Sequence, residues 1–245
     1  MTTVLVTRLR PFAGPLMGTL ETMGYEVWHE PLLTVEPLYQ RRPESVFSIT
    51  PIVAITSRVT LEMLQTRRDE VTDLLNEPCY CVGDQTAQDA SAFGFTDVVS
   101  ASGNGRMLAQ CIMEQESARE TVLHIGVENR NPEMADILTN EGWNVVHWPI
   151  YRAREVSNLS EHVLEALGQG KIDVVTLHSA RAAQTFVKII EKNGLISCCS
   201  ALSAVVFSGS VAKALQALPF KEVIVPPMPT EGMLVEVIRT RFPVG

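Results

Sequence analysis

The sequence predicts an α/β protein of two similar three-layer domains, each built on a five-stranded parallel sheet. Three observations carry this reading. Short β-branched runs alternate with helix-length amphipathic stretches. The runs are apolar nearly throughout, as strands covered on both faces must be. The order of motifs in the first half returns in the second. A chain of 245 residues suits one large or two ordinary domains.

The elements follow in order. TVLV (3–6) leads into Thr7-Arg8, and EVWH (26–29) follows Gly24. IVAI (52–55) leads into Thr56-Ser57-Arg58 and a helix-length stretch over 60–75. CYCV (79–82) precedes Gly83-Asp84-Gln85-Thr86 and a helix over 84–93 closed by Gly94. DVV (97–99) runs to Ser102-Gly103-Asn104-Gly105. The second half opens with TVLHI (121–125), a helix over 132–141 closed by Gly142, and NVVHW (144–148). A helix over 159–167 closed by Gly168 precedes DVVTL (173–177) and His178-Ser179-Ala180. A helix over 180–192 ends near Gly194, before LSAVVF (202–207) and Ser208-Gly209-Ser210. EVIV (222–225) and Pro229-Thr230-Glu231-Gly232 close the series. A glycine past a helix end supplies the left-handed backbone that stops it. Residues 193–212 carry no charge over a membrane-length span, but their serines, glycines and asparagine predict loop, buried strand and loop.

The repeat has a measurable offset. TVLVTR (3–8) matches TVLHIG (121–126) at 118, as do Gly24 and Gly142, His29 and His147, and Pro31 and Pro149. AITSR (54–58) matches TLHSA (176–180) at 122, pairing Ser57 with Ser179. VGDQTA (82–87) matches FSGSVA (207–212) at 125, and Met107-Leu108 matches Met233-Leu234 at 126. A slowly growing offset is what loop insertions in a duplicated unit produce. Two such domains predict a cleft between them, where ligands commonly bind.

Composition narrows the function. The 20 Lys+Arg against 28 Asp+Glu leave a net charge of −8 without a basic run, which argues against nucleic acid as a partner. Cys79, Cys81, Cys111, Cys198 and Cys199 are odd in number and show no CxxC spacing. Free thiols in a reducing cytoplasm are therefore expected, rather than disulfides or a zinc site. The N-terminal run meets Arg8 and Arg10 at once and lacks a signal-peptide layout. GxGxxG, GxxxxGK[ST], HExxH and GxSxG are absent, so dinucleotide, nucleotide and common hydrolytic chemistry are not signalled. His29 and His147 occupy equivalent positions, which favours a structural or cleft-lining role over metal ligation.

What remains is the strand-end turns. A strand followed by Ser, Thr or Gly and then a helix exposes backbone N–H groups that accept anions without a basic side chain. At any single turn, helix capping is the simpler reading. Seven such turns together point to an anionic ligand. Tyr151 stands apart, because its repeat counterpart is Leu33. The residues alone leave a functional tyrosine and a packing tyrosine equally open.

In VLVTR (4–8), ITSRVTLEML (55–64), CVGDQTAQDASAFGF (81–95), EGWNVVHWPIYRA (141–153), TLHSARAAQTF (176–186) and PPMPTEGMLVEVI (226–238), the chain resembles the uroporphyrinogen-III synthase family. The resemblance covers essentially the whole sequence. It implies two flavodoxin-like domains with swapped ends and two linkers, residues 1–34 plus 155–245 and residues 35–154. Sequence alone equally allows a split near 119. It implies conversion of linear hydroxymethylbilane to uroporphyrinogen III, with loss of water and inversion of ring D through a spiro intermediate. No cofactor or metal is implied, and the fitting partner is a transient contact with hydroxymethylbilane synthase. A cytoplasmic monomer without membrane contact is expected. The resemblance makes Tyr151 the residue that assists loss of the hydroxyl. It matches Ser57, Ser179, Gly83 and Thr86 to substrate-binding positions of the family; the strand-end turns add Arg58, Asp84, Gln85, Gly103, Asn104, Ala180, Gly209 and Ser210, joined by Arg8 and Arg130. The family's G-x-x-T-A turn is intact at 83–87, but the second half has Ser208 and Val211 in place of its glycine and threonine. The family's Arg-Gly after the strand at 121 is Ile125-Gly126 here. A two-lobed binding or sensor module, a regulated transcription partner and a degenerate synthase paralogue are the competing readings.

Overall fold

The computed structural model describes residues 1–116 and 120–244. From the N-terminus the elements are β1 (Thr3–Val6), α1 (Arg10–Thr22), β2 (Glu26–His29), β3 (Leu33–Pro37), β4 (Ile52–Ile55), α2 (Arg58–Leu64), β5 (Cys79–Cys81), α3 (Asp84–Phe93), β6 (Val98–Ser100) and α4 (Gly105–Gln115). Then come β7 (Thr121–Val127), α5 (Glu133–Asn140), β8 (Asn144–Glu155), α6 (Glu161–Gly168), β9 (Val174–Leu177), α7 (Ala180–Lys192), β10 (Ser203–Val206), α8 (Gly209–Ala214), β11 (Glu222–Ile224) and α9 (Glu231–Arg241). Two compact units result, one from residues 1–34 and 154–245 and the other from 35–153. Position 119 lies outside the described residues.

The discontinuous unit holds a sheet ordered β11-β10-β9-β1-β2, in which every neighbouring pair runs parallel. Its strands are apolar on both faces because each face meets helices. Leu5, Val175, Leu177, Ala204 and Val206 pack with Val163 of α6 and Phe186 of α7. Val4, Val6, Val174 and Val205 turn the other way, onto Leu16 and Leu20 of α1 and Leu234 and Ile238 of α9.

The contiguous unit repeats this logic in the order β3-β8-β7-β4-β5-β6. Val53, Ile55, Cys81, Leu123 and Ile125 face Leu61 and Leu64 of α2 and Phe93 of α3. Ile52, Ala54, Tyr80 and Val122 face Leu108 and Ile112 of α4 and Met134 and Leu138 of α5. All five cysteines are free thiols, and Cys79 and Cys81 are wholly buried strand residues.

The structure departs from the sequence reading in four places. The second sheet has six strands, not five, and β3 is the added one. The bonds Leu38 N–H to Ile150 carbonyl and Val156 N–H to Leu32 carbonyl flank β3 and run as an antiparallel pair requires. The helix expected over 60–75 stops at Leu64 and continues as 3-10 turns over Gln65–Glu70 and Thr72–Leu74. Arg67 leaves helical geometry (φ −130°, ψ 24°), and its guanidinium donates to the Leu38 and Gln40 carbonyls at 2.8 and 2.6 Å. The third departure is that α6 takes in Gly168 and the left-handed residue after it is Gly170 (φ 65°), whereas Gly24 and Gly142 close α1 and α5 at φ 91° and 84°, as expected. The fourth is that the uncharged stretch 193–212 contains a 3-10 turn, β10 and the start of α8. No helix among the described residues is long and apolar enough to cross a membrane.

Candidate functional site at the strand ends

In the contiguous unit the C-terminal ends of β4, β5 and β6 each lead straight into a helix. Ser57 caps α2, its hydroxyl accepting from the Val59 N–H at 3.2 Å. Arg58, the first residue of α2, pairs with Asp89 of α3. Gly83 sits at the N-cap of α3 in extended backbone, and no side chain caps that helix start. A Cβ at Gly83 would meet nothing within 4 Å. Asp84 follows, but its carboxylate turns to Ser100 and Ser102, whose hydroxyls donate at 2.6 Å each. Those two bonds hold its carboxyl below the usual carboxylate range. Gln85 lies on the helix surface beside Gln88 and Asp89, and Thr86 is buried. The Gly103 N–H donates to the Val82 carbonyl at 2.8 Å and fastens the turn after β6 to the turn after β5. Asn104 caps α4 by accepting from the Met107 N–H at 3.1 Å. Met107 folds back over Gly103, where an added Cβ would stand 2.2 Å from its sulfur.

Tyr151 belongs to β8, opposite Val127 and just beyond a register shift at Gly126/Val127. Its side chain is 4% exposed and packs in the α2–α3 side of the core. Burial raises the phenol above its ordinary value, and the Ser57 and Thr60 side chains beside it partly offset that rise. The contact with Thr60 falls short of hydrogen-bond geometry, so Thr60 Oγ1 is buried without a partner. Such a phenol keeps its proton at neutral pH.

Arg130 reaches His124 of β7, its Nη1 lying 3.3 Å from the ring Nδ1. On the other side of the ring, Nε2 lies 3.0 Å from Thr56 Oγ1. His124 is wholly buried, and burial first, then the Arg130 and His147 charges, push its pKa down to about 3. His147 is occupied otherwise: Nε2 donates to the Val127 carbonyl at 3.1 Å. Its counterpart His29 does the same to the Arg8 carbonyl at 2.8 Å. Each histidine therefore ties its own strand to the end of the neighbouring one.

In the discontinuous unit Ser179 caps α7, accepting from the Ala182 N–H at 3.2 Å, and Ala180 begins the helix. Gly209 begins the six-residue α8, and Ser210 exchanges a bond of 2.9 Å with Ser208. Arg8 follows β1, pairs with Glu231 at the start of α9 and lies over the Phe12 ring at 5.5 Å. His178, between β9 and Ser179, rests on Phe207 with ring centroids 4.5 Å apart. Among the described residues neither of its ring nitrogens has a hydrogen-bond partner, and burial pushes its pKa down to about 3, with Arg8 adding to the shift.

Every position named from the sequence thus lies at a strand end or the helix start after it, except Arg130, which follows β7, and Tyr151, which lies within β8. The structure brings Ser57 and Tyr151 together, joins the 83–84 and 100–103 turns, and puts Arg130 on His124. It gives Thr56, which the sequence named only as part of a strand-end turn, a defined partner in His124, and it adds Thr60 and Gly126 beside them. The register Ile55↔Ile125 sets Thr56 diagonally from His124, and no local motif announces a cross-strand diagonal.

Residues 15–236 match the family model described as Uroporphyrinogen-III synthase HemD. A curated relative, the porphyrin biosynthesis protein HemD of Ruminiclostridium josui, is 24% identical over 243 residues, covering 95% of this chain and 47% of the relative. The chain thus spans about half the length of that relative. Among solved structures, the uroporphyrinogen-III synthetase of Helicobacter pylori aligns with TM-score 0.65 at 16% identity, covering 98% of this chain and 100% of that one. A mutant uroporphyrinogen III synthase of Thermus thermophilus aligns with TM-score 0.63 at 16% identity, covering 98% and 99%. These two likenesses establish a shared fold. The family match takes in nearly the whole chain, both units included, and the protein therefore belongs to the uroporphyrinogen-III synthase HemD family.

Proposed function

We propose that this protein closes linear hydroxymethylbilane to uroporphyrinogen III, losing water and inverting ring D, as a cyclising hydro-lyase of tetrapyrrole biosynthesis. The observation that carries the reading is the family match over residues 15–236. The chemistry of the strand ends supports it. The substrate is a polycarboxylate, and the uncapped start of α3 at Gly83 suits a carboxylate. The substrate's own pyrrole nitrogens make its reacting carbons electrophilic, so the protein's task is positioning and charge stabilisation. That task needs neither metal nor organic cofactor.

Tyr151 donates toward the departing hydroxyl in this proposal. A buried phenol with a raised pKa is a weak acid, so its share of the rate is modest. Ser57, Arg58, Asp84, Gln85, Thr86, Gly103 and Asn104 are the other substrate-binding positions proposed in the contiguous unit, and Arg8, Ser179, Ala180, Gly209 and Ser210 those proposed in the discontinuous one. We further propose a cytoplasmic monomer that receives its bilane from hydroxymethylbilane synthase. The test is to supply freshly made hydroxymethylbilane and separate the product isomers. Type III product above the spontaneous background is expected. Type I product at the background rate would leave a non-catalytic family member.

A further inference from the structure

We propose that Thr56 is a carboxylate-binding residue whose hydroxyl is aimed by Arg130 and His124, acting as a positioning pair. The inference rests on the polycarboxylate substrate proposed above. It follows from the direction of two hydrogen bonds. A guanidinium only donates, so at 3.3 Å from Arg130 Nη1 the His124 Nδ1 must accept. A neutral imidazole that accepts at Nδ1 carries its proton on Nε2. Nε2–H therefore donates to Thr56 Oγ1 at 3.0 Å. With its oxygen used as an acceptor, the Thr56 hydroxyl presents its hydrogen away from the imidazole. The chain begins at a cation and runs in one direction, so each bond polarises the next and the positive end arrives at Thr56. A group polarised in this way prefers an anionic acceptor.

A separate observation concerns the neighbouring position. Gly126 has no side chain there, and a Cβ would stand 3.6 Å from His124 Nε2 and 3.6 Å from Thr60 Oγ1. Thr60 Oγ1 is fully buried and unpartnered, so a second hydroxyl with unused hydrogen-bonding capacity borders the same position. His147 takes no part, since its Nε2 is committed to the Val127 carbonyl.

The test has two arms. Long-range nitrogen–proton spectra of histidine-labelled protein read the ring state directly. A neutral His124 with its proton on Nε2 is expected, and a proton on Nδ1 would overturn the proposal. In the second arm Thr56→Val and Thr56→Ser are compared with the wild type, both for bilane turnover and for binding of uroporphyrin III, followed by quenching of tryptophan fluorescence. Thr56→Val should raise the bilane KM and the porphyrin Kd about tenfold, with kcat within about twofold, as loss of one bond to a carboxylate predicts. Thr56→Ser, which keeps the hydroxyl, should restore most of the affinity. Val as good as the wild type, or Ser as poor as Val, would overturn the site. If the wild type forms no type III product yet Val weakens porphyrin binding, the reaction fails and the carboxylate site stands. If the wild type is active and Val keeps its KM and Kd, the site fails and the reaction stands. A wild type that neither reacts nor binds porphyrin overturns both.

Discussion

At Gly83 the absence of a side chain and the absence of crowding separate function from stability. The backbone there is extended (φ −159°), and a Cβ meets nothing within 4 Å. Gly83→Val should therefore cost no more than about 1 kcal/mol in urea unfolding, the size of an N-cap effect. The same change should raise the bilane KM several-fold by covering the first N–H groups of α3; equal losses in both measurements would make the turn a cap and nothing more. Tyr151→Phe should lower turnover about tenfold while the protein stays folded, in keeping with a weak general acid. Full activity in that variant would reduce Tyr151 to packing. His178 makes the opposite case: a buried ring with two unpartnered nitrogens is a burden. His178→Leu should leave stability unchanged or raised, read as the urea midpoint. The sequence named the capping residues because Ser, Asn and Gly before a helix are a local signal. It named Thr56 only as part of a turn and Thr60 not at all, because the roles of both depend on which residues of β7 stand opposite.

At the level of elements, Arg67 decides how the segment after α2 is built. Its guanidinium holds the carbonyls of Leu38 and Gln40, pairs with Glu70 and lies 5.0 Å over the Trp148 ring. Trp148 Nε1 donates to that same Gln40 carbonyl at 3.0 Å. A regular helix over 60–75 would carry this side chain away from its acceptors, so the helix yields. Arg67→Met should remove about 2–3 kcal/mol from the contiguous unit, because Glu70 and two carbonyls lose their donor together. Urea unfolding followed by Trp148 fluorescence would register it. The strands of β-branched residues were legible because their apolar runs are continuous. β3 was not, because its residues are half-buried or exposed and it ends in Pro37. Its place is set by β8 across the sheet rather than by its own pattern. The limits Glu26–Pro37 of β2 and β3 match Asn144–Glu155 of β8 at the offset of 118. What is two strands in the first half is thus one strand in the second.

Over the whole molecule, each unit carries one histidine whose pKa is pushed down to about 3, His178 in the discontinuous unit and His124 in the contiguous one. Folded, both rings resist protonation down to about pH 3; unfolded, they take up a proton near 6.5. Between those values the unfolded chain binds more protons, so stability falls as pH drops from 6.5. The slope is about 1.4 kcal/mol per pH unit for each ring. Arg130 and His147 face His124, and Arg8 faces His178, so neither ring has a carboxylate to ease its protonation. Glu70 and Glu155, held down by Arg67 and Lys188, add their own loss only below about pH 4.5. Urea midpoints at pH 7 and pH 5 should therefore differ markedly, and His178→Leu should shrink the difference; a flat profile would mean that the folded rings accept protons freely.

The division of the chain also sets a timetable during synthesis. β1 gains β2 as soon as residue 34 has left the ribosome, but its other neighbour, β9, comes only after the entire contiguous unit has been translated. Until then the inner edge of β1 is an open template for foreign strands. Nascent protein halted before residue 174 should accordingly lean on chaperones, while the 35–153 unit within it is already in hand.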